Sequence, residues 1–259
     1  MIGDLLNIAI QAAIEAGIKI LDIYHSSDFE VEFKADNSPL TQADKAAHLV
    51  IVEHLKKTGY PILSEEGERP PYEERSAWNA FWLVDPLDGT KEFIKQNGEF
   101  TVNIALINDK TPALGVVYVP ITGEIYFADY KGSFKSVKSK NIEQIEQEAI
   151  LLPQPQSSNE FTVVGSRSHM SAETEDFIQK LDKKGKPLKM VSKGSSLKLC
   201  LVAEGQADCY PRLGPTMEWD TAAGHAIVKF AGKTVNQYPE NTPLQYNKEN
   251  LLNPWFIVQ

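Results

Sequence analysis

The sequence predicts an α+β fold, with layers of helix alternating with layers of sheet, and three observations lead there. Apolar residues at Leu5, Leu6, Ala9, Ile10, Ala13, Ile14, Ile18 and Leu21 recur at helical spacing. Short β-branched runs then follow with connections too brief for crossover helices: "ALGVVYVP" and "EIYFADY" are separated only by Ile121, Thr122 and Gly123, which reads as a hairpin. The second half mixes helical and extended patterns. A doubly wound parallel sheet needs a helix between consecutive strands, so layered α+β is the expectation.

Taken in order, the amphipathic first helix carries Asp4, Glu15 and Lys19 within its apolar pattern and has no basic leader, which excludes a signal peptide or a membrane span. "EFKADNSPL" reads as a loop. A second helix is expected to open at Thr41, where "TQAD" offers a capping box with Asp44 in the third helical position, and to stop at Gly59. Strands are expected at 60–64, 81–85, 100–107, 113–120 and 124–130. Residues 141–159, rich in Gln, Glu, Ser and Pro, read as a boundary or exposed excursion. The expected division is therefore 1–155, an α+β portion, and 156–259, an α/β portion. The latter opens with "FTVVGS", a helix over 171–183, the strand "LKMVS" and a helix from Ser195. It closes with a strand at "DCYPRL", a helix over 219–230 and the strand "WFIVQ".

The chain has 259 residues, 42% hydrophobic and 24% charged, as expected of an ordinary globular protein. A formal charge of −9 argues against a nucleic acid polymer as partner, because backbone binding needs a cationic surface. A small anionic ligand then requires metal ions or local Lys and Arg to reverse the field. The two cysteines, Cys200 and Cys209, lack C-x-x-C spacing and read as reduced thiols of a cytoplasmic protein.

"FWLVDPLDGTKEF" runs a buried strand into two carboxylates, Asp85 and Asp88, which repel unless a cation sits between them. A divalent metal would serve, with the Leu87 carbonyl as a further hard oxygen ligand of the kind Mg²⁺ prefers. Gly89 allows close backbone approach, and free N–H groups at Thr90 suit a phosphate. Taken alone, "DPLDG" also reads as a capped type I turn. However, "SEEGE" likewise follows an apolar strand, placing Glu65 and Glu66 where an adjacent strand delivers them to the same sheet end. Asp220 in "EWDTAAGHAIV" opens a helix with small residues in its next turns, either a site carboxylate or a simple complement to the helix dipole. An EF-hand would need oxygen side chains where Leu87 and Gly89 stand, and a haloacid dehalogenase nucleophile would stand where Pro86 is. Neither G-x-S-x-G nor H-E-x-x-H occurs, so metal-activated water attacking a phosphate ester is the chemistry left.

The motifs "SEE", "WLVDPLDGTKEF" and "EWDTAAGHAI", in this order, resemble those of the inositol monophosphatase superfamily of Mg²⁺-dependent, lithium-sensitive phosphatases. "DGTKEF", "GSRSH", "GSSLKLC" and "YPRLGPTMEWD" resemble its 3′(2′),5′-bisphosphate nucleotidase branch. The resemblance implies the layered α-β-α-β-α sandwich shared with fructose-1,6-bisphosphatase. It implies one Mg²⁺ on Glu65, Asp85 and the Leu87 carbonyl, a second on Asp85, Asp88 and Asp220, and a third, weaker site near Asp36. It pairs Thr90 with Asp44 to orient the attacking water, and places Gly194, Ser195, Lys198, His169 and Arg212 around a bisphosphorylated nucleotide. Without the resemblance, Lys198 reads as a solvated helix lysine and His169 as a neighbour of a helix N-terminus. The implied reaction is removal of the 3′-phosphate from 3′-phosphoadenosine 5′-phosphate in the sulfur metabolism of the cell, with the sulfated analogue as another substrate. Alternatives are hydrolysis of inositol monophosphate or fructose 1,6-bisphosphate, and a non-catalytic nucleotide or metal binder. The expected protein is a cytoplasmic monomer or homodimer, with contact to the inner face of a membrane left open.

Overall fold

The computed structural model describes residues 2–26, 31–33, 39–137, 141–154, 158–165 and 171–259. The first portion contains α1 (Asp4–Tyr24), β1 (Val31–Phe33), β2 (Pro39–Thr41), α2 (Gln42–Leu55), β3 (Ile62–Ser64), α3 (Tyr72–Arg75), β4 (Ala80–Asp88) and α4 (Thr90–Ile94). It continues with β5 (Thr101–Asn108), β6 (Thr111–Val119), β7 (Glu124–Asp129), β8 (Gly132–Val137), α5 (Ile142–Glu148) and β9 (Ile150–Leu152). The second holds β10 (Phe161–Gly165), α6 (Ala172–Lys180), β11 (Leu188–Ser192), α7 (Leu197–Glu204), β12 (Tyr210–Arg212), α8 (Glu218–Phe230), β13 (Val235–Gln237) and β14 (Phe256–Val258).

A seven-stranded sheet in the order β3-β4-β5-β6-β7-β8-β9 is the frame of the molecule. Only its β3–β4 pair is parallel; every other neighbour is antiparallel, as the hairpin-rich sequence led one to expect. Side chains alternate across the sheet. Trp82 and Val84 join the core beneath α1 and α2, while Phe81 and Leu83 join the core beneath α7 and α8. Beyond α7 and α8 lie the parallel pair β10–β11 and the sheet β12-β14-β13. Helix α6 covers that outer sheet through Phe177 and Ile178, which pack with Phe161, Val163 and Ile257. The result is helix, sheet, helix, sheet, helix.

The sequence and the structure part company in several places. Residues 141–159 are not simply an excursion: α5 forms there, and β9 pairs with β8 through Ser133 and Leu152. The segment read as a loop before Thr41 contains the antiparallel pair β1–β2. Helix α6 ends at Lys180, short of 183, where Leu181 turns extended. Strands of three residues carry too little periodicity to be read; a waiting sheet edge decides them. Along α1, Ile18 is 51% exposed while Ala16, Gly17 and Ile20 are buried, because the helix packs against both α2 and the sheet and its small residues admit Tyr118. Both portions contribute to one core, in which Leu63, Phe81 and Leu83 pack with Leu199, Trp219 and Ala223.

That shared core depends on a close approach at Gly115. A Cβ there would lie 2.6 Å from the Ala223 carbonyl oxygen and 2.7 Å from the Ala226 Cβ, so α8 sits on β6 with no room for a side chain. Gly115→Val is expected to destabilise the fold by about 2–3 kcal/mol, as overpacking does. A urea-denaturation midpoint equal to that of the parent would show that α8 yields.

Candidate active site

Parallel pairing of β3 and β4 sets Ser64 beside Val84, and the Glu65 N–H donates to the Val84 carbonyl at 3.0 Å. Glu65 and Asp85 therefore leave the sheet at the same end. Asp85 follows Phe81 and Leu83 onto the α8 side by the two-residue alternation of the strand. Helix α8 starts at that same place, with Asp220 in its third position accepting from the Met217 N–H at 2.8 Å. Ligand oxygens of Glu65, Asp85 and Asp220 lie within 4.8 Å of one another.

Clustering like charges in a buried place has an electrostatic cost. Burial above all, then Glu65, Asp88, Asp220 and Asp44, raises the Asp85 pKa well above the ordinary carboxylate range. Burial and Asp88, opposed by the Met217 N–H, push Asp220 up to about 8. Three hard carboxylate oxygens, two of them on aspartates that resist ionisation without a counter-charge, fit a divalent cation of the Mg²⁺ class.

The turn after β4 shapes the rest. Pairing with β5 is irregular between Asp85 and Asp88, and the Leu87 N–H folds back to Asp85 Oδ1 at 3.1 Å. Gly89 adopts φ +91°, a left-handed conformation that costs glycine little, and lets α4 begin at Thr90. Thr41 caps α2, and its N–H and hydroxyl both reach Asp44 Oδ2, at 2.8 and 2.6 Å. The other oxygen, Asp44 Oδ1, accepts from the Thr90 hydroxyl at 3.1 Å. Capping and pairing with Thr90 thus use different oxygens of one carboxylate. Thr90 Oγ1 also lies 3.3 Å from the Leu87 carbonyl oxygen.

A cavity of about 910 Å³ opens over this cluster; Glu65, Asp88, Gly89, Thr90 and Asp220 line one part, and Gly194, Ser195, Lys198 and Arg212 another. Lys198 is not a solvated helix lysine: it is 8% exposed, and its ammonium donates to the Ser195 carbonyl at 2.6 Å. Burial, opposed by Asp88 and reinforced by Arg212, brings it down to about 8. Arg212 donates through Nη2 to the Pro215 carbonyl, while its buried Nε has no hydrogen-bond partner. The Ser195 hydroxyl points to Asp88 Oδ2 at 2.6 Å, and the Gly194 N–H to Glu99 Oε2 at 2.8 Å. Asp36 and His169 lie outside the described residues. Glu99, Thr101, Asn103 and Ser196 complete the surroundings; Thr101 and Asn103 escaped the sequence reading because "FTVNIALI" reads there only as a strand.

A layered α+β chain with carboxylates from a parallel strand pair and a helix start meeting beneath one cavity belongs to the inositol monophosphatase family, whose model matches residues 2–254. The crystal structure of the extragenic suppressor protein SuhB from Bartonella henselae shares the fold, with a TM-score of 0.74 at 25% identity over 97% of this chain and 94% of that one. More narrowly, the chain is 46% identical over 258 residues to proteins named 3′(2′),5′-bisphosphate nucleotidase CysQ from Shigella flexneri and Escherichia coli K12, across 98% of this chain and 99% of theirs. The crystal structure of CysQ from Bacteroides thetaiotaomicron superposes with a TM-score of 0.89 at 50% identity, covering 98% of this chain and 96% of that one. Among the described residues, no helix is long and apolar enough to cross a membrane.

Proposed function

We propose that the protein is a 3′(2′),5′-bisphosphate nucleotidase that hydrolyses the 3′-phosphate of 3′-phosphoadenosine 5′-phosphate to give AMP and phosphate, and acts likewise on 3′-phosphoadenylyl sulfate. The observation that carries this reading is the pairing, in one cavity, of a carboxylate cluster with a cationic wall of buried Lys198 and half-buried Arg212. A phosphomonoester needs only the first; a second phosphate needs the second.

Glu65, Asp85 and the Leu87 carbonyl would hold one Mg²⁺, and Asp85, Asp88 and Asp220 another, with Asp36 near a third. When bound, the ions supply Lewis acidity, making water a better nucleophile and offsetting charge on the phosphate. The Thr90 hydroxyl donates its hydrogen bond to Asp44, so its oxygen lone pairs accept from the attacking water and aim it. Water oxygen forms the new P–O bond and the ester P–O bond breaks; of the two water protons one ends on the departing 3′-oxygen and the other on the released phosphate. No phosphoenzyme forms. The Gly89 and Thr90 amides face the nonbridging oxygens. Lys198 and the Arg212 guanidinium take the 5′-phosphate, with Gly194, Ser195 and His169 around the sugar. The cytoplasm is the proposed compartment, where the buried free thiols of Cys200 and Cys209 stay reduced.

Phosphate release with 3′-phosphoadenosine 5′-phosphate and inositol 1-phosphate in Mg²⁺, each with and without lithium, tests the reading. The expected result is a preference of at least about a hundredfold in kcat/KM for the nucleotide, the scale of one desolvated charge-assisted contact, with inhibition by lithium. Preference for the inositol ester, or for fructose 1,6-bisphosphate, would leave the metal chemistry and overturn the specificity. Binding without turnover would mark a non-catalytic binder.

A further inference from the structure

Behind Asp88 lies a buried polar network that the proposed chemistry does not use. Ser196 Oγ is 3.0 Å from Asp88 Oδ2 and 2.9 Å from the Asp220 carbonyl oxygen, and Asn103 Nδ2 donates to it across 2.9 Å. Thr101 Oγ1 lies 3.1 Å from Asn103 Oδ1 and 2.5 Å from Ser195 Oγ; with the Ser195 proton in its bond to Asp88 Oδ2, the single Thr101 proton serves one of these two acceptors. Thr101, Asn103 and Ser196 are each at most 1% exposed, so water does not compete for these bonds.

The chain geometry explains why they meet. Asn103 stands directly across from Asp85 in the β4–β5 ladder, and Thr101 across from Asp88. These two polar residues stand at the start of β5, before the apolar run Ile104–Ile107, where the strand passes the carboxylates. Ser196 precedes α7, which packs on α8, so its hydroxyl reaches both the β4 turn and the first turn of α8. It has one proton for two acceptors, and the Asp88 carboxylate is the stronger. With two serine hydroxyls on one oxygen, rotating the carboxylate breaks two hydrogen bonds.

We infer that Ser196, oriented by Asn103, is a positioning residue that fixes the Asp88 carboxylate from the start of α7, and so fixes its place relative to Asp220. The inference rests on the metal-dependent reading above. Hydrogen-bonding partners of metal ligands typically govern affinity by 10–100-fold.

The test is Mn²⁺ binding to the purified full-length chain, followed by electron paramagnetic resonance, with kcat, KM and Tm measured alongside. In Ser196→Ala the Mn²⁺ dissociation constant is expected to rise about tenfold or more, with kcat falling, the nucleotide KM nearly constant and Tm lower by about 2–6 °C because the buried Asn103 amide loses its acceptor. Asn103→Ala is expected to weaken Mn²⁺ binding in the same direction, and the double variant to be no weaker than Ser196→Ala, because the two act in series. Mn²⁺ affinity in Ser196→Ala within about twofold of the parent, the scatter of independent sites, or tighter binding, would overturn the inference. So would additive losses in the double variant. A parent that binds Mn²⁺ but releases no phosphate from nucleotides would sink the nucleotidase reading alone, and the affinity comparison would still decide this one; a parent that binds no Mn²⁺ overturns both.

Discussion

Asp85→Asn is expected to abolish phosphate release while raising the Tm of the metal-free protein. Asp85 is 1% exposed, and burial together with Glu65, Asp88, Asp220 and Asp44 makes its ionised form costly. Asparagine keeps the oxygen that accepts from the Leu87 N–H and removes the charge. Removing a repulsive carboxylate from an active site is a recognised way to gain stability at the expense of function. The expected loss in kcat/KM exceeds about a hundredfold, the upper range for a mere neighbour of a metal ligand. The expected gain in Tm is about 2–6 °C, from 1–2 kcal/mol in a chain of this size. Near-normal turnover in Mg²⁺ would remove Asp85 from the metal site; a fall in metal-free Tm would show that its charge is compensated in a way the carboxylate cluster does not suggest.

Stability of the metal-free protein is expected to fall as pH rises from about 4 to about 8, and Mg²⁺ is expected to flatten that slope. The folded chain holds a proton on Asp220 up to about 8, against 3.8 for an ordinary aspartate, and Asp85 shifts in the same direction. Between those values the folded state binds more protons than the unfolded chain, so stability is fully present below 3.8 and lost as pH passes through the folded value. Differential scanning fluorimetry with EDTA should show Tm declining by about 10 °C over this window, the equivalent of a few kcal/mol. With saturating Mg²⁺ the cations take the place of the protons, and stabilisation by mass action grows with pH. A metal-free Tm that rises with pH from 4 to 8 would mean the carboxylates are ionised and paired in the folded chain.

The sequence carried a good part of this. The capping box at Thr41 and Asp44 was readable because its residues lie within four positions and bond locally. The approach of Glu65 to Asp85 was readable because two apolar strands each ended in a carboxylate. The large sheet, mostly antiparallel, followed from connections too short for helices.

What the sequence by itself determined is thus local: which residues bear charge, where helices and strands begin, and which carboxylates leave strand ends. Tertiary structure decided what meets what. Asp220 reaches Asp85 because Phe81 and Leu83, which precede Asp85 on the same face of β4, pack toward α8 and Gly115 lets that helix lie close. Lys198 is buried beside Arg212 rather than solvated because α7 packs between two sheets. Ser196 and Asn103, 93 positions apart, bond because β5 runs past the turn before α7. Such contacts leave no periodicity in the chain; they exist only where burial makes an unpaired polar group too costly to leave alone.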